Sequence, residues 1–154
     1  MMQAGDPVPD VTLTDRTGAP LALRTLGFPV VLWFYPRDDT SGCAREAQDF
    51  SALHEDFAAA GVSLLGVSRD DVASHARFIA KHALVPPLAS DLDGSVCEAF
   101  GVWVEKSQYG RKFMGIERAT FLFDRDGRLA RQWRKVRVPG HAADVLKSVG
   151  DLPK

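Results

Sequence analysis

Phe28-Pro-Val-Val-Leu-Trp-Phe-Tyr35 is an unbroken apolar run of strand length, closed by Pro36. A strand with one face in water alternates apolar and polar residues, so a continuous run marks a strand buried on both faces. Downstream of it, Ala47, Phe50, Leu53 and Phe57 recur at helical spacing from Cys43 to just before Gly61. Val62 to Val67 reads as a second buried strand and Asp71 to His82 as a second amphipathic helix. Pro86 to Ala89 predicts a short strand leading to a helix over Ser95 to Phe100. Ala119 to Phe123 and Leu129 to Trp133 flank an Asp126-Gly127 turn and form a hairpin, and Pro139-Gly140-His141 opens a last helix to Val149. Upstream, Val11 to Thr14 and Leu21 to Leu23, around Thr17-Gly18, form an N-terminal β-hairpin. Val102 to Glu117 mixes Trp103, Tyr109 and Phe113 with Lys106, Arg111 and Lys112, and is expected to be a long loop packed on the sheet, or else one wall of a pocket. Strands alternating with helices predict an α/β fold: a central mixed sheet flanked by helices on both faces.

The 154 residues, 45% hydrophobic and 25% charged, suit one domain over residues 1–154. A net charge of −1 leaves no excess of cations to neutralise phosphates, which argues against nucleic acid. No apolar run approaches the ~20 residues of a spanning helix, so no membrane association is expected. The N-terminus has neither a basic start nor an apolar segment, and two cysteines are too few for a disulfide scaffold. A cytoplasmic, reducing location is the expectation. The four histidines, His54, His75, His82 and His141, show no metal-ligand spacing and are expected to be solvated or capping residues. Asp38 and Asp39 are expected to be solvated turn residues. No cofactor is expected.

The chemistry concentrates in Trp33-Phe-Tyr-Pro-Arg-Asp-Asp-Thr-Ser-Gly-Cys-Ala-Arg-Glu46, which joins the central strand to the first long helix. Loops beyond the carboxyl ends of strands are where α/β folds place ligands. Cys43 stands at the start of that helix, where unpaired N–H groups and the helix dipole favour an anion. A free thiol of pKa near 8.5 is only about 3% thiolate at pH 7. A helix dipole supplies about 0.3–1 kcal/mol, so a reactive thiol needs further partners. Thr40, three residues earlier, is placed to cap the helix or to reach the sulfur, and Gly42 permits close approach. A cation must come from elsewhere. The alternative reading makes Cys43 a small buried hydrophobe.

These residues resemble a known family. Pro36-x-x-x-Thr40-x-x-Cys43 is similar to the active-site signature of peroxiredoxins, and the surrounding sequence resembles their Q subgroup, the bacterioferritin comigratory proteins. Gly5-Asp6-x-x-Pro9-Asp10, Ser90 to Gly94, Ala99 to Trp103, Gly115 to Phe121 and Gly140-His141 carry the resemblance in order along nearly the whole chain. The resemblance implies a thioredoxin-like fold and a thiol peroxidase acting on hydrogen peroxide or small organic hydroperoxides. Cys43 would be the peroxidatic nucleophile, and Thr40 would bond its sulfur and orient the peroxide. Pro36 would shield the site, and Arg118 would hold the thiolate and steady charge on the peroxide oxygens. Without the resemblance, Arg118 reads as a surface partner of Glu117 or Asp124.

Two departures matter. Ser41 stands where the subgroup usually has proline. The positions at which many relatives carry a resolving cysteine correspond to Gln48 and Ile79. Cys97, on the apolar side of its short helix, is expected to be a structural thiol. The expectation is therefore a one-cysteine peroxidase, a monomer or weak homodimer, resolved by an external thiol such as thioredoxin or glutaredoxin/glutathione. The alternatives are resolution by Cys97, and a peroxide sensor or stress chaperone using the same cysteine. A thioredoxin-type reductase is disfavoured because Glu46 occupies the second position of a Cys-x-x-Cys.

Overall fold

The computed structural model describes residues 2–153. Its core is a seven-stranded mixed sheet in the order β2-β1-β5-β4-β3-β8-β9. The strands are β1 (Thr12–Thr14), β2 (Pro20–Ala22), β3 (Val30–Phe34), β4 (Ser63–Ser68), β5 (Leu88–Ser90), β8 (Ala119–Phe123) and β9 (Leu129–Trp133). As its unbroken apolar run requires, β3 is central and wholly buried, parallel to β4 and antiparallel to β8. The register Leu32↔Leu65 and Leu32↔Phe121 aligns apolar residues across all three strands.

Strand alternation divides the core in two. Val30, Leu32 and Phe34 face one apolar cluster with Leu13, Leu23, Cys97 and Phe100. Val31, Trp33 and Tyr35 face the other with Cys43, Ala47, Phe50 and Phe78. The second face is covered by α1 (Ser41–Ala52), α2 (His54–Ala59), α3 (Val72–His82) and α5 (His141–Val149), the first by α4 (Ser95–Ala99) and the N-terminal hairpin. Trp33 stacks on Phe50 with centroids 4.7 Å apart, which fixes α1 against the central strand. Truncating a ring of this kind costs about 3–5 kcal/mol. Gly66 is required beneath that pair, since a Cβ there would lie 2.6 Å from Trp33 and Leu88 side-chain atoms.

The expected long loop over Val102 to Glu117 is corrected by the structure. It is a two-stranded ribbon, β6 (Trp103–Gln108) and β7 (Arg111–Ile116), in antiparallel register from Trp103↔Ile116 to Gln108↔Arg111. Its two-residue turn, Tyr109-Gly110, has positive φ at both positions (52° and 75°), as a tight hairpin turn demands. The ribbon pairs with no strand of the main sheet and Tyr109, Phe113 and Met114 are exposed, so its sequence lacks the alternation of a half-buried strand. No helix among the described residues is long and apolar enough to cross a membrane.

Candidate active site

Thr40 is the residue preceding α1, with extended backbone, and its carbonyl accepts the first helical bond, from Ala44 N at 2.8 Å. The N–H groups of Ser41, Gly42 and Cys43 therefore have no partner within the helix and present partial positive charge at its start. Cys43 is 1% exposed and is a free thiol. Arg118, between β7 and β8, reaches across to it. Its Nη2 donates to Cys43 Sγ at 3.3 Å, and its Nη1 donates to Glu46 Oε1 at 2.8 Å. The strand end brings in the cation that the resemblance assigned to Arg118, and its carboxylate partner is Glu46 rather than Glu117 or Asp124. Glu117 instead pairs with Arg134 at 2.7 Å.

Glu46 lies three residues beyond Cys43 on α1, hence on the same helix face. Its side chain is wholly buried, and Oε2 has no hydrogen-bond partner among the described residues. Burial pushes its carboxyl up to about 7, against the opposing pull of Arg118. Burial acts to lower the Arg118 pKa, but the Glu46 carboxylate and Cys43 outweigh it, and the guanidinium is held above its ordinary value. Gly42 lies beside the guanidinium, where a Cβ would sit 3.4 Å from Arg118 Nη2 in ordinary contact.

Thr40 departs from expectation. Its hydroxyl donates to the Arg37 carbonyl at 3.1 Å, neither capping the helix nor bonding the Cys43 sulfur. The turn formed by Arg37 to Thr40 closes on itself, and the hydroxyl serves that turn. Pro36, half-buried, borders a cleft of about 470 Å³ with Arg37, Arg69, Trp103, Lys106 and Phe113. The β6–β7 ribbon is thus a wall of a pocket. Lys106 is held below its usual pKa by burial and by Arg118, with Cys43 pulling the other way.

Asp38 is corrected from a solvated turn residue to a buried one, 4% exposed in its side chain. Its carboxylate accepts from Tyr35 Oη (2.6 Å), Ser74 Oγ (2.7 Å) and His75 Nδ1 (2.8 Å to Oδ2). Burial pushes its pKa up, but those hydrogen bonds outweigh burial and hold it below the ordinary value. His75 and His141 are buried as well, contrary to the solvated reading. His141 accepts or donates to Thr120 Oγ1 at 2.8 Å, and burial lowers its pKa to about 4. Asp39, at φ 59°, pairs with Lys81 (2.6 Å) and His82 (2.8 Å) on α3. Asp38, Asp70 and His75 bring potential ligand atoms within 4.8 Å of one another, a cluster that sequence spacing did not reveal. These three residues are already hydrogen-bonded to protein groups.

Cys97 packs on the opposite face of the sheet from Cys43. Burial and the adjacent Asp91 raise its pKa far above the ordinary thiol value, which favours the protonated thiol over the thiolate. Gln48 is exposed on α1 and Ile79 is half-buried on α3.

A thioredoxin-like sheet carrying one buried thiol at a helix start, held by an arginine, defines the peroxiredoxin class of thiol-dependent peroxidases. The chain belongs to the AhpC/TSA family, whose profile matches residues 4–132. It is 46% identical over 141 residues to peroxiredoxin Bcp of Xanthomonas campestris, covering 91% of this chain and 88% of that one. Against peroxiredoxin Bcp of Bacillus subtilis it is 41% identical over 152 residues, covering 98% and 97%. Among solved structures, Xylella fastidiosa PrxQ superposes with a TM-score of 0.91 at 38% identity, covering 98% of this chain and 97% of that chain. The X. campestris bacterioferritin comigratory protein, described for its alkyl peroxide reduction, gives 0.88 at 43% identity, with 97% and 98% covered. The protein is a peroxiredoxin of this Q type, an enzyme that reduces peroxides at the expense of a thiol.

Proposed function

We propose that Cys43 is the peroxidatic nucleophile, that Arg118, Thr40 and Pro36 complete its site, and that the oxidised sulfur is resolved by a thiol from outside the chain. The single observation that carries the reading is the Arg118–Cys43 contact of 3.3 Å at the start of α1. A guanidinium stays charged and offers several donors in a fixed fork. One donor steadies the thiolate, and the same group faces the charge that grows on the peroxide oxygens as the O–O bond breaks.

The Cys43 thiolate attacks one peroxide oxygen of hydrogen peroxide or a small organic hydroperoxide. An S–O bond forms, the O–O bond breaks, and hydroxide or alkoxide departs, taking a proton to leave as water or alcohol. The sulfur is oxidised to a sulfenic acid. Thr40 gives its proton to the Arg37 carbonyl, so its lone pairs are free to accept from the peroxide O–H and fix its direction. Pro36 offers no N–H and limits water. An external thiol such as thioredoxin or glutaredoxin/glutathione then attacks the sulfenic sulfur, releasing water and leaving a mixed disulfide that a second thiol reduces. The separation of Cys97 by the sheet supports resolution from outside, since a disulfide needs Cα atoms within ~7 Å. Residues 1–154 are read as one domain, acting as a monomer or weak homodimer in a reducing, cytoplasmic compartment, in keeping with two free cysteines.

Steady-state peroxide consumption with dithiothreitol tests the reading. Many turnovers per chain are expected, and none for Cys43→Ser. A fully active Cys43→Ser enzyme would overturn the assignment, and a reaction that stops after one equivalent would make the protein a sensor.

A further inference from the structure

The loop between β3 and α1 is tied down from below by a buried polar network that the peroxidase chemistry does not itself use. Asp38 lies midway between Pro36 and Thr40 and is its centre. The Asp38 carboxylate takes hydrogen bonds from Tyr35 on the end of β3 and from Ser74 and His75 on α3. Its backbone N–H donates to Asp70 Oδ2 at 2.8 Å, and that oxygen also accepts from Ser68 Oγ at 2.7 Å, at the end of β4. The far side of the His75 ring meets β5, where Nε2 lies 3.1 Å from the Ala89 carbonyl oxygen. Side-chain exposure of His75 is 2%.

The partners of the two ring nitrogens point to the state of this ring. Nδ1 faces the Asp38 carboxylate at 2.8 and 3.0 Å, and behind it the Tyr35 oxygen at 3.3 Å, whose own proton goes to Asp38. Nε2 faces a carbonyl, which only accepts. Beside an ionised Asp38, either neutral tautomer would point one ring lone pair at an acceptor in a buried site, leaving it unsatisfied. With Asp38 ionised, as its lowered pKa favours, the doubly protonated ring satisfies both sides and the carboxylate is its counter-charge.

We infer that His75 is a positioning residue for peroxide reduction, acting as a buried imidazolium that bolts the Pro36–Thr40 loop to α3 and β5 through Asp38. The Asp39 pairs to Lys81 and His82 attach the same loop to the same helix at the surface. Exposed pairs of that kind contribute little, so the buried pair is the element that sets where Pro36 and the Thr40 hydroxyl stand. The inference rests on Cys43 being the nucleophile, whereas the charge state of the ring is readable without it.

Two measurements test it. Nitrogen-15 NMR of histidine-labelled, reduced wild-type protein at pH 7 is expected to show His75 with both ring nitrogens protonated; a neutral tautomer would overturn the inference. In stopped-flow oxidation of Cys43 by hydrogen peroxide, His75→Gln is expected to slow the reaction roughly 10- to 100-fold, the scale of a small misplacement of reacting groups. Reduction of oxidised Cys43 by dithiothreitol should not slow with it, a split that general destabilisation would not produce. Asp38→Asn, which keeps the histidine, should give a similar loss, and the double variant no further one. A folded His75→Gln protein oxidised at the wild-type rate, or losses that multiply in the double variant, would contradict the positioning role. Peroxide turnover surviving in Cys43→Ser would instead mark failure of the nucleophile assignment.

Discussion

Arg118 donates to the Cys43 sulfur across 3.3 Å while its other nitrogen is bound to Glu46, so the guanidinium plane is fixed before any peroxide arrives. The bidentate arrangement is specific to arginine, because a lysine ammonium cannot hold both partners in one plane. Arg118→Lys is therefore expected to lower the second-order rate constant for peroxide by roughly 100-fold, the scale of losing one oriented donor at a developing charge. Stopped-flow oxidation of Cys43 checks this, with circular dichroism to confirm the fold.

Gly42 tests the same contact from the other side. Alanine there would meet Arg118 Nη2 at 3.4 Å, an ordinary van der Waals contact that leaves the guanidinium on the sulfur. Within a helix alanine is favoured over glycine by roughly 0.5–1 kcal/mol. Gly42→Ala is expected to leave the oxidation rate at the wild-type level and to raise the melting temperature, which pairing kinetics with thermal denaturation checks.

Glu46 and His141 pull the pH dependence of stability in opposite directions. The Glu46 carboxyl is raised by burial from 4.5 to about 7 in the folded chain, so its folded state binds the extra proton. Its contribution is fully present below pH 4.5 and is lost as pH rises through about 7. His141 is lowered by burial from 6.5 to about 4, so the unfolded state binds the extra proton. Its contribution is fully present above pH 6.5 and is lost as pH falls toward 4. Glu46→Gln is expected to leave stability rising with pH between 4 and 6.5, and His141→Asn to leave it falling between 4.5 and 7. Urea denaturation across that range measures both slopes. Glu46→Gln should also remove an inflection near pH 7 from the rate of Cys43 oxidation.

Cys97 is expected to be dispensable for turnover. Cys97→Ala should retain wild-type peroxidase activity with dithiothreitol while losing about 1 kcal/mol of stability, the usual cost of a small core truncation. Paired activity and urea-denaturation measurements check this.

The strands and helices that bury a face were legible because burial writes a period into sequence. The run ending at Tyr35 became the wholly buried β3, and the spacing of Ala47 and Phe50 marked the buried face of α1. The β6–β7 ribbon left no such trace, since it stands apart from the main sheet; its one readable signal was Tyr109-Gly110 between two short segments. Cys43 and Arg118 were legible through the resemblance of their neighbourhoods. Glu46, Asp38 and His75 were not, because a charged residue reads as solvated until the fold reveals the partner that allows it to be buried. The Thr40 hydroxyl was assigned to the sulfur from sequence proximity and the resemblance, whereas its proton goes to the Arg37 carbonyl within the turn.

A single reactive cysteine resolved from outside leaves a distinct oxidation product. Reduced protein treated with one equivalent of hydrogen peroxide, then with a sulfenic-acid trapping reagent, is digested and mapped by mass spectrometry. The expected product is the trapped adduct on Cys43 with Cys97 unmodified. An intramolecular Cys43–Cys97 disulfide as the major species would show instead that Cys97 resolves Cys43 within the chain.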